Sequence, residues 1–235
     1  GSESYDPGKL EWDTAYYWRI DEVETDGTIQ TGNVWSFTTA DFLIVDDFED
    51  YDVYNQIWWA WHDGAGYVSH PTESPYVGNG TGSMIGDENT PSYTEETIVH
   101  GGSQSMPVFY DNSVLKYSEV EKTLTYPRDW TENGVTTLTI WFRGDSANAV
   151  ETLYVALNGS AVVSYDNPDA AQISIWTEWT IDLSAPGGFA AQGVNLTNVD
   201  KITLGLGDRN NPQGGGSGTM YFDDIRLYSP PEQAP

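Results

Sequence analysis

The chain has no cysteine. Disulfide staples and thiolate metal sites are thereby excluded, and cysteine usage says nothing about compartment. Basic residues are scarce: Lys and Arg total 9 against 36 Asp and Glu in 235 residues, a formal net charge of −27. Such a surface repels a phosphate backbone, which excludes nucleic acid as a partner, and it repels an anionic membrane surface in the same way. Long apolar runs are also missing. The longest, Phe42-Leu43-Ile44-Val45, is far short of a membrane span, so no membrane insertion is expected. The three histidines, His62, His70 and His100, are widely separated, and neither H-E-x-x-H nor G-x-S-x-G occurs. No stretch holds a helical period. No leader is visible; Gly1-Ser2 has the look of a cloning remnant, with any leader removed upstream.

What is present is aromatic and turn-rich. Aromatics make up 14% of the chain, with 10 Trp and 15 Tyr, alongside 24 Gly and 12 Pro. Strand patterns dominate. Leu138, Ile140 and Phe142 alternate with Thr139, Trp141 and Arg143, and Leu153, Val155 and Leu157 with Tyr154, Ala156 and Asn158. Trp179, Ile181 and Leu183 alternate with polar neighbours, and Ile202, Leu204 and Leu206 with Lys201, Thr203 and Gly205. One apolar face per strand is what a two-sheet sandwich needs. Residues 62–97 are polar and turn-rich and read as long loops at one rim. Residues 16–24 and 31–39, joined through Asp26-Gly27, read as a β-hairpin. The expected fold is all-β, a two-sheet antiparallel β-sandwich (jelly roll) with an N-terminal β-hairpin.

Two resemblances add to this reading. The segment LEWDTAYYWRIDEVETDGTIQTGNVWSFTT, residues 10–39, resembles the C-terminal strands of a fibronectin type III-like domain, which gives a first unit of residues 1–40. The opening VDDFED, the closing YFDDIRLY and the intervening TIVHGGSQSMPVFYDN look like the first, last and early strands of jelly-roll carbohydrate-binding modules of the family 4, 11 and 22 kind. That resemblance covers residues 41–228, and residues 229–235 read as a linker. It implies a structural Ca²⁺ where first and last strands meet. By position its ligands are Glu49, the carbonyl of Asp47, carbonyls from His100 to Ser103, and Asp223. Parity favours Asp223 over Asp224, since Asp223 shares a face with Ile225 and Leu227. Hard carboxylate and carbonyl oxygens suit this ion.

For the ligand, parity turns Trp141 and Arg143 away from the core, a pairing of stacking platform and hydrogen-bond donor suited to sugars. Tyr154 and Asn158 point outward on their own strand, with Thr203 and Gly205 small enough to leave a groove. In the cluster IWWAW, Trp58 and Trp59 face opposite ways if the segment is a strand, and Trp58 and Trp61 are the binding candidates. The loop GDRNNPQGGGSG adds Asp208 and Arg209. The structural alternative for each is packing under a loop, or an ordinary solvated turn. Catalytic residues are not expected: Glu119 and Glu121 share a strand face, but no ordered E-x-D-x-x-E motif occurs. The expected function is non-catalytic binding of a neutral plant or algal polysaccharide, such as a β-glucan or xylan. The module is expected to be secreted or at the cell surface and appended to a larger multidomain protein. The alternatives are a calcium-stabilised adhesion or spacer module, and a jelly-roll glycan hydrolase or lyase.

Overall fold

A computed structural model describes residues 4–230. Gly1-Ser2 and residues 231–235 of the linker reading lie outside the described residues. The chain divides into two compact units between Leu43 and Ile44.

In the first unit, β1 (Ala15–Trp18), β2 (Glu22–Val23), β3 (Ile29–Gln30) and β4 (Trp35–Thr38) form a hairpin ladder. Strand β1 pairs with β4, and β2 with β3, both antiparallel. The turn is closed by Gly27 N–H donating to Glu24 O at 2.9 Å. Cross-strand aromatic pairs set the register. Tyr16 lies opposite Phe37 with ring centroids 5.7 Å apart, and Trp18 opposite Trp35 at 4.8 Å.

The second unit is a sandwich of two antiparallel sheets. Its strands in chain order are β5 (Phe42–Asp46), which straddles the division, β6 (Trp61–His62), β7 (Ser83–Ile85), β8 (Met106–Asp111), β9 (Tyr117–Thr123), β10 (Thr137–Arg143), β11 (Leu153–Leu157), β12 (Ala161–Ser164), β13 (Thr177–Asp182), β14 (Lys201–Gly207) and β15 (Ser217–Tyr228). One six-stranded sheet runs β13-β10-β15-β8-β7, with β5 also on β15; the five-stranded sheet runs β12-β11-β14-β9-β6. The alternation read from the sequence holds. Leu138, Ile140 and Phe142 from the first sheet meet Val155, Leu204 and Leu206 from the second in the buried core. Residues 62–97 are mostly turns and bends around the short β7.

Local corrections concern IWWAW and the last strand. Ile57–Ala60 form a single helical turn, α1, so Trp58 and Trp59 do not alternate across a strand. Trp61, read as a binding candidate, opens β6 with its side chain fully buried. In β15 the register against β10 slips between Thr139 and Trp141, and Asp224 takes φ 45°. This bulge cancels the parity count. Asp223 lies opposite Trp141 and turns outward with it; it does not join the inward face of Ile225 and Leu227.

A cross-sheet polar knot holds the β6 end. The Asp46 carboxylate is buried, accepts from Trp61 Nε1 at 2.8 Å, Tyr51 OH at 2.7 Å and Phe48 N at 2.9 Å, and is paired with Lys122 Nζ. Removing one partner of such a pair strands the other charge, at a cost of several kcal/mol. Lys122→Ala is expected to lower unfolding stability by about 3 kcal/mol in a urea titration. A loss within about 0.5 kcal/mol would mean the knot adds nothing.

Candidate functional site

The sandwich has two outer faces, one per sheet. On the six-stranded sheet, Thr139, Trp141 and Arg143 turn away from the core, as their parity requires. Trp141 is not an open platform, however. The His100 ring stacks on it with centroids 3.7 Å apart and planes 16° off parallel, and His100 also meets the edge of Trp176 at 5.9 Å. His100 Nδ1 is 2.6 Å from Asp224 Oδ2, and Arg226 pairs with the other oxygen of Asp224. Arg143 is half-buried opposite Tyr221. A loop from elsewhere in the chain therefore covers the face that parity had opened.

The same loop brings together Glu49, His100, Ser103 and Asp223. Asp223 is fully buried. Its Oδ2 accepts from His100 N at 2.8 Å and Gly101 N at 3.2 Å. Burial pushes its carboxyl up to about 6, and the Asp224 charge adds to that against the pull of the amide bonds. Glu49 Oε1 accepts from Ser103 N at 2.8 Å and Gln104 N at 2.9 Å, and Oε2 from Ser103 Oγ at 3.1 Å. Gly102, at φ +59°, allows this approach, since a Cβ there would fall 2.3 Å from Glu49 Oε1. Asp47 stands apart in its own turn, its Oδ1 accepting from Glu49 N at 3.3 Å, and burial raises its carboxyl. Neither Glu49 nor Asp223 forms an ion pair among the described residues. That lack of countercharge fits a hard cation. Among the described residues no three acidic or histidine side chains meet as a metal cluster, so loop carbonyls would have to complete the shell.

The five-stranded sheet presents a different outer face. Its register sets His62, Glu121, Thr203, Ala156 and Val162 in one row, and Glu119, Gly205, Tyr154 and Ser164 in the next. Tyr154 OH donates to Glu119 Oε1 at 2.7 Å, and Arg209 Nε lies 3.2 Å from the same oxygen. Lys201 Nζ pairs with Glu121 Oε1 at 2.8 Å. Burial raises the Glu119 carboxyl, opposed by the Tyr154 bond and the Arg209 charge, and the Tyr154 hydroxyl is pushed well above its usual range, chiefly by burial. Arg209 Nη1 is shielded from solvent and has no hydrogen-bond partner among the described residues. Gly205 lets the Tyr154 ring lie on the backbone, where a Cβ would sit 2.1 Å from its Cζ.

Beside this polar floor stands an aromatic wall. Tyr76 stacks on His62 at 4.3 Å, Tyr67 lies 6.0 Å from His62, and Trp58 reaches Tyr67 at 6.2 Å. Trp58 also stacks on Tyr93 at 5.0 Å and on Trp59 at 6.5 Å. His62 lies opposite Glu121 in the β6–β9 register and carries Tyr76 on its ring, so wall and floor meet at His62. Burial, with the charges of Glu121 and Asp63, pushes the Tyr76 hydroxyl up to about 12. Thus Trp58 and Arg209 belong to this outer face, on the other sheet from Trp141 and Arg143. Tyr154, read as an outward binding candidate beside a groove at Thr203 and Gly205, is instead buried, its ring filling the space over Gly205, and it supports the floor without facing a ligand. Asn158 is a turn residue at φ 49°, its Oδ1 accepting from Asp200 N at 2.7 Å. Asp208 caps its own loop through Asn210 N at 2.9 Å and Asn211 N at 3.1 Å. Sequence reasoning did not assign His62, Tyr76, Glu119, Glu121 or Lys201 to a binding face. The shared face of Glu119 and Glu121 was visible, but which strands lie beside it was not.

No family model matches the chain, and no curated protein does. Solved structures do match. A family 11 carbohydrate-binding module of a cellulosomal cellulase of Clostridium thermocellum is similar at 17% identity and TM-score 0.52, over 83% of this chain and 98% of that one. A family 11 module from the same organism, solved with a β-1,3-1,4-mixed-linked tetrasaccharide, is similar at 18% identity and TM-score 0.51, over 82% of this chain and 97% of that one. The fold is that of a jelly-roll carbohydrate-binding module. An exo-β-agarase also matches, at 13% identity and TM-score 0.50, over 83% of this chain but 26% of the agarase. No helix among the described residues is long and apolar enough to cross a membrane.

If Trp141 is a packing ring, Trp141→Ala costs stability. An urea unfolding titration is expected to show a loss of about 2 kcal/mol. An unchanged midpoint would show that His100 does not depend on that ring.

Proposed function

We propose that this chain binds an extended neutral polysaccharide, such as a β-glucan or xylan, along the outer face of the five-stranded sheet, without catalysing its cleavage. The observation that carries this is the junction of aromatic wall and polar floor at His62, which stacks on Tyr76 and lies opposite Glu121. Aromatic rings stack on the C–H faces of pyranoses, and carboxylates, a guanidinium and hydroxyls match vicinal sugar hydroxyls. Likeness of fold to a module solved with a β-1,3-1,4-linked tetrasaccharide supports the choice of ligand class. Charge supports a neutral chain. Lys201 and Arg209 are each paired with a glutamate, and the net charge of −27 opposes a uronate or sulfate. The same pairings support a non-catalytic reading, since Glu119 and Glu121 are both held in ion pairs. Such a module is exported and serves a larger multidomain protein.

A stacked ring contributes roughly 0.5–1.5 kcal/mol beyond area burial, so several together give a dissociation constant of order micromolar to millimolar. In affinity gels of soluble β-glucan and of xylan, wild-type retardation is expected on at least one. Tyr76→Ala and Trp58→Ala should each weaken it about five- to tenfold. Trp141→Ala should leave it unchanged at temperatures where that variant is folded. Full retention by both wall variants, or its loss in Trp141→Ala, moves the site off this face.

Calcium at the junction of β5 and β15 belongs to the same proposal. Glu49 and Asp223 would hold the ion, together with carbonyls of Asp47 and residues 100–103, and its role would be to neutralise the buried carboxylate of Asp223. Binding to the native state alone raises stability by mass action. Calcium should therefore raise the melting temperature and chelator should lower it. Indifference to both would leave the junction to its amide hydrogen bonds.

A further inference from the structure

The outer face of the five-stranded sheet does not end at its second row. The register continues to Gly207 opposite Tyr117. Beyond that row lies a cavity of about 260 Å³, lined by Lys116, Val150, Glu151, Asp208, Asn211 and Gln213, among others. Its far wall is the loop that follows β14. That loop is pinned on both sides. Asn112 N donates to Gly216 O at 2.8 Å and Gly215 N to Asn112 O at 3.0 Å on the β9 side. Gly216 N donates to Glu151 Oε1 at 2.9 Å on the β11 side. From the same loop, Arg209 reaches back to Glu119 on the outer face. The segment thus lies as a bar across the ends of β9, β14 and β11.

We propose that this cavity takes the terminal sugar of the bound glycan, so that the module grips a chain end. The proposal rests on the binding face described above. Three features support it. Size is the first: a cavity of about 260 Å³ falls just below the roughly 300–1,000 Å³ of sites that take drug-sized ligands, and it has room for one pyranose with its hydroxyls. Chemistry is the second. Asn211 and Gln213 present planar amides, bonded to one another at 3.2 Å, beside the carboxylates of Glu151 and Asp208, a set that matches the extra free hydroxyl of a terminal residue. The pinned loop is the third, since an internal sugar needs an exit on both sides and the bar closes one.

The test titrates the whole chain calorimetrically with soluble mixed-linkage β-glucan. Intact polymer and polymer lightly hydrolysed to twice the number of chain ends are compared at equal sugar mass. Capacity that doubles with the ends supports end recognition. Asn211→Ala and Gln213→Ala remove loop donors without touching the aromatic wall. Together they should weaken oligosaccharide affinity about tenfold, as expected for two lost hydrogen bonds near 0.7 kcal/mol each. Binding whose capacity ignores end number, with both loop variants at wild-type affinity, overturns the end pocket and leaves the binding face standing. Absence of binding to β-glucan and xylan alike overturns the face itself, and the pocket with it.

Discussion

The placement of the candidate face depends on one buried carboxylate. Asp46 ends β5 on the six-stranded sheet, and its Oδ2 takes both the indole of Trp61 and the ammonium of Lys122 from the five-stranded sheet. Desolvating a carboxylate is costly, so it survives in the interior only with such partners. The bond fixes Trp61 inward. Because side chains alternate along a strand, His62 must then face outward. Tyr76 stacks on that outward ring, and Tyr67 and Trp58 follow. The wall is thus a consequence of a bond on the opposite side of the strand.

A chain with four acidic residues for each basic one has few cations to distribute, and their positions are informative. Lys122 serves the core knot; Lys201 and Arg209 serve the floor of the outer face; Arg226 and His100 serve Asp224. Glu49 and Asp223 receive backbone amides instead. This contrast separates the two ends of the sandwich. On the floor, every charge has its counterpart and the surface is suited to hydroxyls. At the strand junction, a buried acid lacks one, and the loop of residues 100–104 closes over it with the Trp141 ring beneath His100.

Much of this was legible in the sequence, and the limit was physical. Alternation in β10, β11, β13 and β14 followed from period-2 geometry, which is local. The hairpin of the first unit was marked by Asp-Gly between aromatic strands. A family resemblance led to the expectation of a cation between Glu49 and Asp223; the loop of residues 100–104 contacts both carboxylates through N–H groups.

Sequence alone determined which residues of β10, β11, β13 and β14 face inward, because in an unbroken strand that depends only on neighbours in the chain. Tertiary structure alone decided which outward faces stay open and which strands share one. Trp141 and Tyr154 look equivalent by parity, yet they lie on different sheets, one packed under His100 and the other buried over Gly205. Nothing in either strand specifies that His100, 41 positions away, will cover the first ring. A bulge at Asp224 reverses parity with no change in residue type that a count would register. Such outcomes arise from long-range packing and register, which a local pattern does not encode.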